Sequence, residues 1–520
     1  MSKPPKEPLY LLIQSLTKAE KRAFKLYAQR MGSPDAKFIR LFNVLDQMKE
    51  YDEEQILRKE TDFKPSQLSN QKAHLYRQIL TSLRLNHVSQ QGDIEIRENL
   101  DYARVLFNKG LYPQSLRILE KIKGKAIEEE RHTLHLQILE FEKFIESQYI
   151  TRSTADRAEE LTEELRLVNQ RVQMNNELSN LALSLYGYYL KTGHVRDEED
   201  YEQVRAFYEQ KLPALDQSGL GATELMHLYQ GKIWYYYIVQ DFRHCYRYAR
   251  YWVTLFDERP RLLHAYTDLY IKGLHQLALA LFNMRSHKAL SEVLQRMDAV
   301  ASDDSIRLTE NSHILLFLYK SLGQFNAFFL SGDFSKGTAF VPAFEEALDE
   351  VQTRLDPHWV ILFYYKIACL YFGSGDNSGA IRYLNKIIHS SDTQVRGDIQ
   401  CFARILNLIA HYELGNNDLL DYQVRSVYRF LAKMDNLQQV QVEIFRFLRN
   451  LSRIVPADVP MEFVKLKDRL MELMKDPFER RPFIYLDIIS WLESKIENLS
   501  VQEVVQRKYH AGWKLINLQK

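Results

Sequence analysis

The stretch WVILFYYKIACLYFGSGDNSGAIRYLNKII, residues 359–388, decides the fold. Its first half places Tyr364, Ile367, Ala368 and Tyr371 on one helical face. Gly373, Gly375, Asp376 and Asn377 then form a turn. Gly379, Ala380, Tyr383, Leu384 and Ile387 repeat the helical period on the far side. This predicts two antiparallel helices. Small residues, Ala368 and Ala380, are needed where the helices approach closely, and Tyr371 fills the wedge near the turn. Glycine and aspartate supply the turn conformation.

The layout recurs along the chain. Tyr102, Ala103, Leu106, Gly110, Tyr112, Ser115 and Leu119 form one copy. Trp234, Tyr237, Asp241, Phe242, Cys245, Ala249 and Trp252 form another. Leu318, Gly332, Asp333, Phe334 and Gly337 mark a third, and Ile405, Leu408, Gly415, Asn416, Leu420 and Val424 a fourth. Weaker turns fit at Gly193–His194, Ser286–His287 and Thr151–Thr154. Turn centres at Leu111, Arg152, His194, Asp241, Ser286, Asp333, Asp376 and Asn416 are 40–47 residues apart. One such pair cannot bury its own apolar face, so the pairs must stack.

The pattern resembles the tetratricopeptide repeat (TPR), with helices a turn or two longer than that repeat's period of about 34 residues allows. The resemblance implies an all-α, right-handed α-solenoid of about eight TPR-like helix pairs. A helical cap (1–95) precedes the repeats (96–436), and C-terminal helical repeats and a cap (437–520) follow. The opening LTKAEKRAFKLYAQR (16–30) and closing FIYLDIISWLESKI (483–496) also resemble a group of bacterial TPR-like proteins, a likeness that implies no catalytic residues. In the caps, helices are expected at Pro8–Ser15, Thr17–Met31, Ala36–Tyr51, Asp52–Lys59 and Pro65–Asn86. Others are expected from 437 to about Ile454, and at Met461–Met474, Pro482–Asn498 and Val501–Leu518. Thr17 and Glu20 have the spacing of a capping box.

Composition agrees with long helices and short connections. The chain of 520 residues holds only 19 Gly and 14 Pro, with 31 Tyr and 27 Phe to fill space between helices. Net charge is +1, too small for a global field, though Lys and Arg outnumber Asp and Glu by six over residues 1–90. Three cysteines without a CxxC pair argue against a disulfide framework or a zinc site. The run Leu9–Ile13 is too short for a secretory core, and no apolar stretch reaches the ~20 residues of a membrane span. The expected setting is cytoplasmic, without membrane contact.

Chemical motifs do not emerge. There is no GxxxxGK[ST], HExxH or GxSxG. Gly373–Asp376 joins two helices, whereas a phosphate cradle follows a strand. His132 and His135, near Glu129, share a helix face and read as packed or solvated. Cys245 and Cys369 read as small core hydrophobes. No cofactor, metal or catalytic residue is expected, and the protein is not expected to be an enzyme.

What remains is surface. By resemblance to TPR grooves, Arg97, Arg104, Asn108, Gln230, Trp234, Tyr237, Asn326, Tyr365, Phe372 and Tyr412 would face a protein or peptide partner. Guanidinium and amide groups there would grip carboxylates or peptide backbone, and aromatics would take apolar side chains. For the aromatics the competing reading is packing between repeats. The expected function is a non-catalytic interaction scaffold. A second reading makes the chain a transcriptional or RNA-associated regulator. Lys18, Arg22 and Lys25 would then form a nucleic-acid face, the helices around Asp52–Asn86 would form a helix-turn-helix, and the repeats would sense a peptide.

Overall fold

The computed structural model describes residues 7–31, 37–60, 63–87, 92–148, 155–214, 219–389, 397–416, 423–425, 427–430, 438–451, 458–480 and 482–513. The turn at Thr151–Thr154 and the repeat position Leu420 lie outside them. Among the described residues the fold is all-α, with no strand. The chain forms two compact units, Met1–Val172 and Gln173–Lys520.

The first unit opens with α1 (Pro8–Ser15), α2 (Lys18–Met31), α3 (Lys37–Asp46), α4 (Glu53–Lys59) and α5 (Pro65–His87). Their apolar faces close on one core of Leu9, Ile13, Phe24, Phe42, Leu45, Ile56, Leu68, Leu75 and Ile79. The capping box forms: Thr17 N–H donates to Glu20 Oε2 at 2.8 Å, and Glu20 N–H to Thr17 Oγ1 at 3.2 Å. One expectation is corrected here, because α3 ends at Asp46 rather than Tyr51. The side chains of α1 supply the reason. Gln14 Nε2 donates to Leu45 O at 3.0 Å, and Tyr10 Oη to Lys49 O at 2.8 Å, so these carbonyls are satisfied without another helical turn. Next come α6 (Gly92–Asn108), α7 (Tyr112–Glu128) and α8 (His132–Glu146), which share a core of Ile96, Ala103, Leu116, Leu119, Ile138 and Ile145. The long helix α9 (Ala155–Thr192) runs across the boundary into the second unit.

The second unit continues with α10 (Glu198–Lys211), α11 (Ala222–Ile238), α12 (Phe242–Glu258) and the short α13 (Pro260–Ala265). After it come α14 (Thr267–Asn283), α15 (His287–Ser302), α16 (Glu310–Ser331), α17 (Phe334–Val351), α18 (Pro357–Ser374), α19 (Asn377–Ile388) and α20 (Gly397–Glu413). Helices α11 and α12, α14 and α15, α16 and α17, and α18 and α19 pack as neighbouring pairs. The second helix of each pair also packs on the first helix of the next. From α14 to α20 the first helices touch one another in series. Trp252 of α12, fully buried, shows how close a second helix comes to the next first helix: a Cβ on Gly273 of α14 would lie 3.3 Å from its Cδ1. In the pair at 357–388, Ala368 and Ala380 are fully buried, and the rings of Tyr371 and Tyr383 stack 5.5 Å apart. Among the described residues, one core cluster draws side chains from Ala222 to Val505. Burying each large apolar side chain contributes about 1.5–3 kcal/mol, and the neighbouring pairs supply the surfaces that do it.

The turns share one device. At every expected turn centre that is described, the residue before it has a left-handed backbone: Gly110, Gly193, Gln240, Arg285, Gly332, Gly375 and Gly415. At Asp241, Ser286 and Asn416 the turn-centre N–H donates five residues back, to Tyr236 O at 2.8 Å, Leu281 O at 2.9 Å and His411 O at 3.1 Å. This closure satisfies the last free helix carbonyls. Asp376 then caps the next helix, accepting from Gly379 N at 2.8 Å.

The C-terminal part comprises α21 (Gln439–Leu451), α22 (Val459–Leu473), α23 (Pro482–Tyr485), α24 (Ile488–Glu497) and α25 (Val501–His510). The continuous helix expected over Pro482–Asn498 is broken. Asp487 interrupts it and caps α24, accepting from Ser490 N at 3.2 Å and Ser490 Oγ at 2.6 Å. The expected Val501–Leu518 helix stops at His510, where Gly512 and Trp513 turn left-handed. Helix α25 folds back onto α16 and α18. Arg285, at the turn between α14 and α15, lies over the Trp513 ring at 4.3 Å. One described helix, α16, is long and apolar enough to cross a membrane by composition, and half of its most apolar window is buried among its neighbours.

Candidate functional site

The first helices of successive pairs in the second unit meet through a ladder of polar and aromatic side chains. It starts at the C-terminal end of α9. Tyr186 lies 4.8 Å from Trp234 of α11, and Tyr189 lies 5.6 Å from Trp234 and 5.4 Å from Tyr237. His194 Nδ1 donates to the Tyr237 carbonyl at 2.8 Å, fixing its ring 4.8 Å from that of Tyr237. On α14, one turn apart, sit Lys272 and His275. The His275 ring stacks on Tyr319 of α16 at 4.0 Å, and Trp359 of α18 lies 6.3 Å away. Further along, Lys366 of α18 donates to Asn326 Oδ1 at 3.0 Å and lies 4.9 Å from the ring centres of both Phe282 and Phe329. A desolvated ammonium held over ring faces is favourable.

The electrostatics of the ladder follow from burial. The Lys272 ammonium is pushed below its ordinary range by loss of water, and no carboxylate among the described residues forms an ion pair with it. His275 is pushed down to about 3, first by burial and then by Lys272. His227 of α11 shifts the same way, by burial and then by Lys272, against a smaller opposing pull from Glu224. Burial therefore favours the neutral form of both imidazoles and disfavours the charge on Lys272.

Beside Trp234, α9 presents apolar side chains to water at a helical spacing of three and four. Leu183 is 67%, Tyr186 40% and Leu190 61% exposed. A contiguous apolar stripe of this kind is a common mark of an interaction surface.

The residues expected in a groove divide by environment. Gln230, Trp234, Tyr237 and Tyr412 are half-buried. Trp234 and Tyr237 belong to the ladder, whereas Tyr412 lies against Phe463 at 6.3 Å. Asn326, Tyr365 and Phe372 are buried and hold neighbouring helices together, so they offer no surface to a partner. Arg97, Arg104 and Asn108 are exposed on α6 of the first unit, and Arg104 covers the Phe141 ring at 3.7 Å. Lys18, Arg22 and Lys25 come together on α2, where with Lys21 and Leu26 they line a depression of about 330 Å³.

Of the groups considered for chemistry, His135, Cys245 and Cys369 are held within the packed helices. His135 is buried, its Nε2 3.0 Å from Glu164 Oε1. Cys245 and Cys401 are buried, and burial pushes the half-buried Cys369 thiol up to about 11, away from the reactive thiolate.

Sequence reading missed Leu183, Tyr186, Leu190, His227, Lys272, His275, Trp359 and Lys366. The 183–186–190 spacing is legible in the sequence, but spacing alone does not tell an exposed stripe from a buried one. No family profile, curated protein or solved structure matches this chain.

Proposed function

We propose that this chain is a non-catalytic scaffold of TPR-like pairs, stacked as a right-handed α-solenoid of about eight repeats and acting in the cytoplasm. It binds a protein or peptide along the ladder of the second unit. The partner segment is amphipathic. Its apolar side chains cover Leu183, Tyr186 and Leu190 beside Trp234, and a carboxylate meets Lys272. One observation carries this reading: an exposed apolar stripe adjoins a row of half-buried polar groups that includes an ammonium without an acidic partner among the described residues. Covering the stripe removes apolar surface from water, and rigid helices limit the entropy lost on docking.

Selection of displayed 12-residue peptides on the full-length protein tests the reading. The enriched sequences should carry apolar residues three or four apart and at least one carboxylate. Enrichment should vanish with Leu183→Asp plus Leu190→Asp, whose side chains are already exposed and whose helicity should not change. Enrichment that survives these substitutions, or none at all, defeats the proposal.

A further inference from the structure

The first unit carries a feature that partner binding in the second unit does not use. Over residues 1–90 Lys and Arg outnumber Asp and Glu, and part of that excess is gathered on α2. Lys18, Arg22 and Lys25 fall on one face at spacings of four and three, and Gln29 continues the row. With Lys21 and Leu26 the three cations line the depression described above.

The helix that bears this row is firmly seated. Phe24 and Ala28 are 1% and 0% exposed in the core of α1–α5, and Phe24 packs 4.8 Å from Phe42. Lys21 is neutralised by Asp46 at 2.7 Å. Lys25 lies 5.6 Å from the centre of the Phe42 ring. Glu20 is turned into the cap of its own helix. Among the described residues, Lys18, Arg22 and Lys25 form no ion pair with a carboxylate. The row therefore keeps like charges three and four positions apart, an arrangement that repels itself and that a polyanion relieves.

Two geometric facts select the anion. At a rise of about 1.5 Å per residue, Lys18 to Lys25 spans about 10 Å along the helix, and their long, flexible stems extend that reach to neighbouring phosphates of one strand. Arg22, in the middle, offers a planar fork suited to phosphate oxygens. An anionic lipid surface fits less well. Membrane-surface helices insert an apolar face beside their basic one, and the apolar face of α2 is already spent on the core, leaving Leu26.

We propose that this face of α2 docks the phosphodiester backbone of a nucleic acid, without reading its sequence, through Lys18, Arg22 and Lys25.

Fluorescence anisotropy with the full-length protein tests this, using a labelled 20-base-pair DNA duplex and a 20-nucleotide RNA at 50 and 200 mM salt. Three phosphate contacts give a log–log salt slope of about −2.7 for duplex and about −2 for single strand, which is on the order of 20- to 40-fold weaker binding across that range. The variant combining Lys18→Gln, Arg22→Gln and Lys25→Gln, with its helicity checked by circular dichroism, should bind at least tenfold more weakly at 50 mM salt and with a flattened slope. Whichever of the two nucleic acids binds more tightly identifies the source. The proposal is overturned if neither binds at 50 mM salt, if the triple variant binds like the parent, or if only poly-glutamate or phosphatidylserine vesicles are retained.

Discussion

Gln506 sits on Gly332: its side-chain amide donates to the Gly332 carbonyl at 3.3 Å, and a Cβ built on that glycine would lie 2.8 Å from the Gln506 backbone nitrogen. Gly332 also has a left-handed backbone, with φ of 74°. Two penalties therefore meet in Gly332→Ala, a strained conformation and a clash with the backbone of α25. Gly375 has φ of 89° but open space around its Cβ position, so Gly375→Ala meets only the first. The expected losses are about 1 kcal/mol for Gly375→Ala and roughly 2–4 kcal/mol for Gly332→Ala. Urea denaturation of both variants checks the difference. Equal losses would mean that α25 does not pack on this turn.

Gln240 occupies the same left-handed turn position with φ of 61°, and its Oε1 is buried without a hydrogen-bond donor among the described residues. Gln240→Gly relieves both, at the cost of a more flexible unfolded chain. We expect a gain of about 0.5–1 kcal/mol, read as a higher urea midpoint with an unchanged m-value.

Glu413, at the end of α20, accepts from Trp491 Nε1 at 2.7 Å and pairs with Lys495 at 2.8 Å. Trp491 is almost completely buried. Glu413→Ala leaves the indole N–H without that acceptor and should cost about 1–3 kcal/mol. Glu413→Gln keeps an acceptor and should cost less. Thermal melts of both variants give the order.

His275 gives acid sensitivity. Its folded pKa of about 3 lies below the ordinary 6.5, so between these values the unfolded chain binds a proton that the folded chain does not. Stability from this group is complete above pH 6.5 and falls as the pH drops toward 3, with a ceiling of about 1.4 kcal/mol per pH unit. His275→Phe keeps a ring against Tyr319 and removes the proton site. Its urea midpoints between pH 7 and pH 4 should fall less steeply than those of the parent protein. Parallel curves would show that His275 titrates normally in the fold.

Much of the fold was legible because the turns state themselves. Glycines at 110, 193, 332, 375 and 415 mark left-handed residues that few other side chains adopt. Gln240 and Arg285 occupy the same conformation, and those two turns were legible only through neighbours such as Asp241 and Ser286. The groove was legible in part. Helix α18 is apolar on every side, FYYKIACLYF, so no polar stripe fixes which way Tyr365 and Phe372 point, and both prove to be buried. Lys272 and His275 left no signal, because their environment is built by α11, α16 and α18, distant in sequence. The return of α25 onto α16 was hidden for the same reason.

The claim that a partner docks on the first helices of the second unit is tested most directly by site-specific photocrosslinking in the native host. A benzophenone side chain replaces Tyr186 on α9 or, as its counterpart, Tyr251 on α12, which is 48% exposed. Position 186 should give a discrete adduct that Leu183→Asp abolishes, and position 251 none. An adduct from 251 alone, or one from 186 that is indifferent to Leu183→Asp, would contradict it.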